Sequence, residues 1–355
     1  MSIVTAAKPH TKWSRVAVIA VAAAAIVAVV LLAFTWAGVG SSAKNIPLAV
    51  TGPTAQVQAL EKALEENSAG TFTITEVADK DQATALIRTR DVYGAVILGA
   101  PTEVLTASAN GTAVSQILTG VAAQLQLQIS QSMVTAGKPV SAAPKVTVTD
   151  VVPLAETDAK GTGMTLAAFP LAFGGMIGGI LISLVVVGNR RRIGALALYS
   201  ILSGGIIVLV MQGLYGVFQG NIALNIAAVA LSLLGTSSFI VGLNALIGMA
   251  GIPIGAVLTM LIANPISAAT APMQFLPGPF GVIGQFLVPG ASTTLLRDLS
   301  YFPDTNTLAP WLVLTAWTLA GVIFTLVGHF RNQEVVHIEN SLDTEPTPAM
   351  AIANT

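Results

Sequence analysis

The chain has 355 residues, of which 54% are hydrophobic and 9% are charged, and its mean hydropathy is +0.77. A soluble domain carries about 25% charged residues, so this composition predicts an integral membrane protein, with the lipid bilayer as its surroundings. The net charge of −1 gives no sign of a nucleic-acid partner, and none is expected. The absence of cysteine excludes disulfides, thiolate chemistry and cysteine-ligated metals.

The first apolar run, residues 16–34, follows a positively charged stretch. A secretory signal has an apolar core of about 7 to 15 residues, whereas this run approaches the length needed to cross a bilayer. We therefore predict an uncleaved membrane anchor over residues 16–40, preceded by a cytoplasmic head. Cleavage after the small residues GVGSSA is the alternative interpretation.

Residues 41–163 differ from the apolar runs on either side of them, because acidic residues are frequent here. Their apolar residues either alternate, as in a strand, or recur every three to four positions, as in a helix, within short elements. The predicted strands are IPLAVTG, TFTITEVA, YGAVILG, EVLTAS and KVTVTDVVPL. The predicted helices are TAQVQALEKALEEN, capped by Thr54, then DQATALIRTRD and AVSQILTGVAAQLQLQIS. Such alternation of strands and helices predicts a small α/β domain. Within it, NGT at Asn110 is expected to form a hairpin turn, with a glycosylation sequon as the alternative.

Four or five further apolar blocks of spanning length follow that domain. They cover, approximately, residues 164–188, 194–217, 222–247, 252–271 and 308–328. All five, taken with the anchor, give six transmembrane helices.

Three arginines, Arg190, Arg191 and Arg192, lie between the second and third predicted helices. They are the only charged residues between Met164 and Leu296, so the positive-inside rule places their loop in the cytoplasm. Because each span changes the side of the membrane, six spans then place both termini in the cytoplasm and the α/β domain outside it. The sequence thus predicts a multi-pass protein of the cell membrane. The triplet is explained as a topology determinant that contacts anionic lipid, and docking of a cytoplasmic partner is the alternative.

The predicted fold class is therefore an α-helical polytopic membrane protein with six transmembrane helices and an α/β extracytoplasmic domain inserted between helices 1 and 2. Its seven segments follow from the boundaries above. They are a cytoplasmic head (1–15), helix 1 (16–40), the extracytoplasmic domain (41–163), helices 2 to 5 (164–272), an outer segment (273–307), helix 6 (308–329) and a disordered cytoplasmic tail (330–355).

The outer segment contains FLPGPFGVIGQFLVPG, which is strongly apolar yet too rich in proline and glycine for a continuous helix. Irregular backbone is tolerated at membrane depth only where protein or a water-filled cavity satisfies its polar groups. We predict a re-entrant or interfacial element over the outer mouth of the bundle, and a loop resting on lipid headgroups is the alternative. STTLLRDL is expected to form an amphipathic interfacial helix with Arg297 and Asp298 turned to water. The candidate residues of this segment are Pro277, Gly278, Pro279, Pro289, Gly290 and Arg297.

Small and polar residues recur near the middle of the predicted bundle. Tight helix packing explains them, since small residues let helix backbones approach closely, and a polar translocation seam is the alternative. The glycines expected to pack helices are Gly174, Gly175, Gly178 and Gly179. The candidate seam residues are Ser203, Thr236, Ser237, Ser238, Asn264 and Pro265.

No catalytic, metal or cofactor site is expected in this chain. Its histidines, His10, His329 and His337, fall in the predicted head, at the cytoplasmic end of helix 6 and in the predicted tail, so no metal or acid/base cluster can form at membrane depth. The serines and acids of the α/β domain have no histidine or nucleophile motif beside them, which argues against an enzyme. The phosphate-binding pattern G-x-x-x-x-G-K-[ST] is absent, so the chain is not an ATPase motor of that type.

The order of one anchor, an outer α/β domain, four spans, a proline-rich re-entrant stretch and a last span resembles type-2 ABC exporter permeases. It is most similar to the phage infection protein (YhgE/Pip) branch and related actinobacterial membrane proteins. The resemblance covers almost the whole chain and is carried by DKDQATALIRTRDVYGAVI, NPIS and LPGPFGVIGQFLVPGASTTLLRDLSYF. It implies a homodimer, a pathway for an amphiphilic or lipid-linked envelope molecule and, for true exporters, a separate ATPase subunit.

The sequence departs from the exporter pattern on the inner side. A fifteen-residue head, the arginine triplet, a charge-free turn and an acidic tail offer an ATPase little surface. Two functions are therefore expected: a permease-like protein that exports or handles an amphiphilic or envelope molecule, or a non-transporting receptor or scaffold that acts through its extracytoplasmic domain. The first is favoured because a plain anchor needs one span, and the second because no energy source is visible.

Overall fold

The structure is a computed structural model that describes residues 12–331, apart from the side chains of residues 37, 38 and 329–331. Most of the predicted cytoplasmic head and nearly all of the predicted disordered tail lie outside the described residues. The first element, α1, is the apolar helix Trp13–Val39, and almost all of its surface is exposed.

A five-stranded sheet with three helices follows α1, and we call residues 46–150 the sheet region. The strands are β1 Ile46–Thr51, β2 Phe72–Glu76, β3 Gly94–Ile97, β4 Glu103–Thr106 and β5 Thr147–Asp150. The helices are α2 Thr54–Ser68, α3 Lys80–Arg88 and α4 Thr112–Thr135. The strand order is β2-β1-β3-β4-β5, with β3 and β4 antiparallel and the other neighbours parallel.

The alternation of β1 sets the two faces of this sheet, because successive side chains of a strand point to opposite sides. Ile46, Leu48 and Val50 join a core with α2 and α4. Ala49 joins a second core, in which α3 packs together with Phe302 from the far end of the chain. One face of the sheet is thus covered in part by a residue that lies between α10 and α11 of the helix bundle.

Two details of the sheet region differ from prediction. Thr54 is the first residue of α2 and not its cap, since Pro53 precedes it and no side chain caps that helix start. The hairpin turn predicted at Asn110 is wrong, because Asn110 and Gly111 lead from β4 into α4. Asn110 is only 2% exposed, which also argues against its glycosylation in the folded chain.

The second half of the chain is a bundle of helices. They are α5 Thr162–Val185, α6 Asn189–Val208, α7 Ile222–Ile247, α8 Gly251–Ala256, α9 Phe280–Gly284, α10 Val288–Tyr301 and α11 Leu308–Arg331. Two π-helical pieces, Leu209–Leu214 and Val257–Ala263, extend α6 and α8. Within the described residues, 5 helical segments are long and apolar enough to cross a membrane, and they are consistent with a multi-pass helical membrane protein.

One of those segments, Ile222–Ala263, is 42 residues long and folds back on itself. Gly251 lies against Leu243, and Gly255 lies against Ile240, so α8 runs antiparallel to α7. The pieces of α8 have 6 and 7 residues and together rise about 20 Å, less than the roughly 30 Å of a hydrocarbon core. The block predicted over residues 252–271 is therefore helical for only part of its length.

The chain after α8 reaches the sheet region and then returns to the middle of the bundle. The Tyr93 hydroxyl donates to Gln274 Oε1 at 2.7 Å, which places this part of the chain beside the sheet region. Farther along, Val288 packs on Gly235, near the midpoint of α7. From there α10 rises along α7 and ends beside the start of that helix, where Gly220 meets the Leu299 carbonyl.

The four glycines predicted to pack helices lie on α5, where α6 and α7 approach it. A Cβ added at Gly175 would come within 2.6 Å of Thr236 Cβ, and one at Gly179 within 2.9 Å of Ile240 Cβ. At Gly174 the nearest atom would be Leu233 Cδ2, at 3.1 Å, while at Gly178 the added carbon would overlap the Tyr199 ring.

We expect the Gly178→Ala variant to lower the melting temperature of the purified protein in detergent by several degrees. The added methyl group displaces the Tyr199 ring, whose hydroxyl donates to the Gly174 carbonyl at 2.6 Å, and overpacking of this kind costs about 1–3 kcal/mol. Gly194→Ala on α6 is the matched control, because nothing lies within 4 Å of the added carbon. Equal melting temperatures of the two variants would contradict this account.

Candidate functional site

The sheet region is joined to the bundle by a buried ion pair between Arg90, just after α3, and Asp298 of α10. The Asp298 side chain is only 3% exposed. Arg90 also donates from Nε to Asn110 Oδ1 at 2.9 Å, and its guanidinium lies 5.3 Å from the centre of the Phe302 ring. One arginine therefore contacts the start of α4 and the end of α10 together.

The expectation that Asp298 faces water is wrong. Burial raises the pKa of this carboxyl, while the charge and hydrogen bond of Arg90 act in the opposite direction. The sequence pattern correctly places Asp298 on the side of α10 opposite its apolar face. That polar side, however, is covered by the sheet region and not by water. Arg297, the neighbouring residue, is partly exposed.

A cavity of about 460 Å³ lies at this junction, between the sheet region, α10 and the start of α11. Its polar lining includes Arg90, Asp91, Tyr93, Asn110, Gln274, Gln285, Arg297 and Asp298. Its apolar lining includes Met273, Phe286, Ala291, Ala309, Pro310 and Val313. A smaller cavity of about 50 Å³ shares Asn110 and Arg297 with it and continues toward Tyr301.

Arg297 is the cation of this junction cavity that is not paired with a carboxylate. Within residues 12–331 its side chain makes no ion pair and donates no hydrogen bond. Burial, together with the charge of Arg90, lowers the pKa of Arg297 to about 10, so its guanidinium remains charged at neutral pH. The amide Nδ2 of Asn110, unlike the partly exposed Arg297, is buried, and it has no acceptor in the part of the chain that the structure describes.

The candidate seam residues fall into two groups, one packed among α5, α6 and α7 and one beside a cavity after α8. Ser237 Oγ donates to the Leu233 carbonyl at 2.7 Å within its own helix, and Ser238 Oγ donates to the Gly235 carbonyl at 3.3 Å. Thr236 packs on α5, as described above. Ser203 is partly buried on α6.

The other two seam candidates, Asn264 and Pro265, lie just beyond the end of α8. They line a separate cavity of about 260 Å³ together with Phe34 of α1. Ser267 Oγ donates to the Asn264 carbonyl at 2.6 Å, which stabilises the turn that follows the helix. The seam consequently remains a prediction, divided between packed helices and this side cavity.

The candidate residues of the 273–307 segment fall at its bends. Pro277, Gly278 and Pro279 precede α9, and Gly278 has a left-handed φ of 58°. Pro289 lies in the first turn of α10, where a missing N–H costs nothing. Gly290 packs directly on the Gly284 carbonyl.

The arginine triplet at the start of α6 is divided in its contacts. Arg190 and Arg191 are exposed. Arg192 instead donates to the Val186 and Ser183 carbonyls, each at 2.8 Å, and to Asn244 Oδ1 at 3.1 Å. It therefore caps the last turn of α5, a role that its sequence position did not indicate.

The junction brings together residues that sequence analysis did not single out, above all Arg90, Tyr93 and Asn110. In the sequence Arg90 is one of several charges in a helical pattern, and no local signal marks it. No group of three or more His, Cys, Asp or Glu residues suited to a metal ion occurs in the described part of the chain. Comparisons of the chain with protein-family models, curated proteins and solved structures found no match.

We expect Asp298→Asn to destabilise the protein by roughly 3–5 kcal/mol, because it leaves Arg90 without its carboxylate in a buried site. Faster hydrogen exchange in the sheet region and a lower melting temperature would report this loss. The double variant Arg90→Met with Asp298→Leu should cost less, since it removes both charges. Glu66→Gln, which breaks the exposed pair Lys62–Glu66, is the surface control and should change neither measurement.

Proposed function

We propose that this chain is a permease-like membrane protein of the type-2 ABC exporter class that exports or handles an amphiphilic or cell-envelope molecule. The observation that carries this proposal is the return of the 273–307 segment to the middle of the bundle. Ser292 Oγ of α10 donates to Ser232 Oγ of α7 at 2.6 Å, in the interior of the bundle. A protein whose helices served only as an anchor would have no use for such a segment.

The junction cavity supports the same proposal. It lies between the returning segment and the sheet region, and its wall combines charged groups with apolar side chains. Sites for small molecules are typically concave, mostly apolar and equipped with a few polar groups that orient the ligand. This arrangement suits a molecule with a polar head and an apolar body.

The proposed topology has six spans, with both termini in the cytoplasm and the α/β domain outside the cell membrane, inserted between spans 1 and 2. The turn Gly248–Ala250 and the antiparallel course of α8 support two passes from residue 222 onward, the second begun by the short α8 and completed by the non-helical chain that reaches the sheet region at Gln274. The resemblance to exporter permeases further suggests a homodimer and a separate ATPase subunit. In one chain α1 contributes little to the bundle, so its surface is available to lipid or to a second copy.

A second function, that of a non-transporting receptor or scaffold acting through the α/β domain, is favoured by one observation. The hydroxyls of Ser237 and Ser238 satisfy carbonyls of their own helix, and Thr236 fills the groove beside Gly175. In a single chain these residues contribute to the packing of the bundle, as they would in a receptor that moves no substrate.

Cysteine labelling tests the topology, and the natural chain has no cysteine to interfere. In intact cells a membrane-impermeant maleimide should label Glu66→Cys in the sheet region, because that side chain is 65% exposed. Val187→Cys, which is 82% exposed and leaves the arginine triplet intact, should be labelled only after permeabilisation. The opposite pattern would contradict the proposed orientation.

A reversible cross-link separates the two functions. Oxidation of the double variant Ser232→Cys, Ser292→Cys should join α10 to α7 and stop transport of an amphiphile in reconstituted vesicles, with recovery on reduction. The same double variant kept reduced, and each single-cysteine variant under oxidation, are the matched controls and should transport normally, because none of them can form the cross-link. Unchanged transport in the cross-linked variant would contradict a permease that works through this segment.

A further inference from the structure

We infer that the junction cavity binds the anionic headgroup of an amphiphile, whose oxygens accept hydrogen bonds from Arg297 and Asn110. The inference rests on the proposed function and names the class of molecule that it concerns. The shared chemistry is that of an anionic oxygen acceptor such as phosphate, which a lipid or a free ion can supply.

The cavity wall offers hydrogen-bond donors that lack acceptors. The guanidinium of Arg297 carries five N–H groups, and none of them has a partner within the described residues. Asn110 accepts from Arg90 through Oδ1, which assigns its other amide atom, Nδ2, as a donor, and that atom is buried without a partner. Buried polar groups in proteins nearly always have partners, so the buried Nδ2 of Asn110 indicates a missing acceptor, and the partly exposed guanidinium of Arg297 lines the same cavity.

The charges around the cavity favour an anion rather than a cation. Asp298 is engaged by Arg90, and the other carboxylate of the lining, Asp91, is exposed and accepts from the Thr89 hydroxyl at 2.5 Å. Within the described residues neither carboxylate forms an ion pair with Arg297, although the charge of Asp298 acts on it from farther away. A guanidinium forms forked, charge-assisted hydrogen bonds with phosphate and carboxylate groups, which makes Arg297 a suitable headgroup ligand.

The size and the apolar part of the cavity point to a lipid as the source of that anion. Its volume of about 460 Å³ falls within the range of roughly 300–1,000 Å³ that small-molecule sites occupy, and is far larger than one phosphate requires. Phe286, which lies between α9 and α10 and is 66% exposed, belongs to the apolar lining, and Val313 extends that lining onto α11, one of the apolar helices of spanning length. A headgroup at Arg297 would therefore leave its acyl chains beside apolar surface.

The test measures binding to the full chain, purified in a non-ionic detergent, by native mass spectrometry and by melting temperature. The probes are phosphatidylglycerol, diacylglycerol with the same acyl chains, and inorganic phosphate. Phosphatidylglycerol should bind at least roughly 10-fold more tightly than diacylglycerol, because the two differ in the charged headgroup alone. Arg297→Gln should remove this preference by weakening phosphatidylglycerol binding roughly 10- to 100-fold.

Two further variants keep the result independent of folding defects. Asn110→Asp retains the oxygen that accepts from Arg90 but adds a negative charge, so it should weaken phosphatidylglycerol binding and leave the melting temperature of the lipid-free protein unchanged or higher. Arg297→Lys keeps the charge and should retain part of the preference. Arg191→Gln, at the opposite end of the bundle, is the matched control for non-specific attraction and should leave binding unchanged.

The outcomes that overturn the inference are distinct from those that overturn the proposed function. Undiminished phosphatidylglycerol binding in both Arg297→Gln and Asn110→Asp would overturn the site. Equally tight, Arg297-dependent binding of inorganic phosphate would overturn the lipid assignment in favour of a free anion. Arg297-dependent lipid binding without any transport by the natural chain would instead contradict the permease proposal and leave the site in place.

Discussion

The architecture depends on satisfying the backbone of a segment that cannot be a continuous helix. In a hydrocarbon environment every unpaired carbonyl or amide costs several kcal/mol, so such a segment must find its partners in protein. The structure supplies such partners from two directions: Trp317 Nε1 donates to the Phe286 carbonyl at 2.9 Å, and the Ser42 amide donates to the Phe275 carbonyl at 3.1 Å. In return, Gln285 Nε2 of the segment donates to the Ser267 carbonyl at 3.2 Å. The broken stretch is thereby held among α11, the bundle and the chain that leads into the sheet region.

That placement also explains why charged groups are buried at the junction. Once α10 rises from the interior toward the sheet region, its polar side meets protein instead of solvent, and Asp298 requires a cation there. Arg90 provides it from a position with a left-handed φ of 63°, and Phe302 then inserts into the sheet core beside α3. Motion of α10 would consequently displace the sheet region as well, which links the proposed transport segment to the proposed outer domain.

Much of the fold was predictable, because buried side chains recur along the sequence every second residue in a strand and every three to four residues in a helix. The alternation in β1 and the long apolar blocks of α5, α7 and α11 are local patterns. The early end of α8 also had a local signal, since Pro265 has no N–H with which to continue the helical hydrogen bonds beyond Asn264, which itself still has helical dihedrals. The site was not predictable in this way, because Arg90 and Asp298 are separated by 208 positions and Asn110 lies in a motif typical of turns. From the sequence of α10 alone, its polar side is expected to face solvent. In the structure the sheet region covers that side.

Arg192 has two roles, one during membrane insertion and one, as the cap of α5, in the folded protein. During insertion, in the proposed orientation, its charge helps to retain the loop at the cytoplasmic surface. After folding, its planar fork joins the Ser183 and Val186 carbonyls and the Asn244 amide oxygen. A lysine at this position would serve biogenesis equally well but could not reproduce the fork, so the requirement for arginine comes from the finished fold and not from membrane insertion.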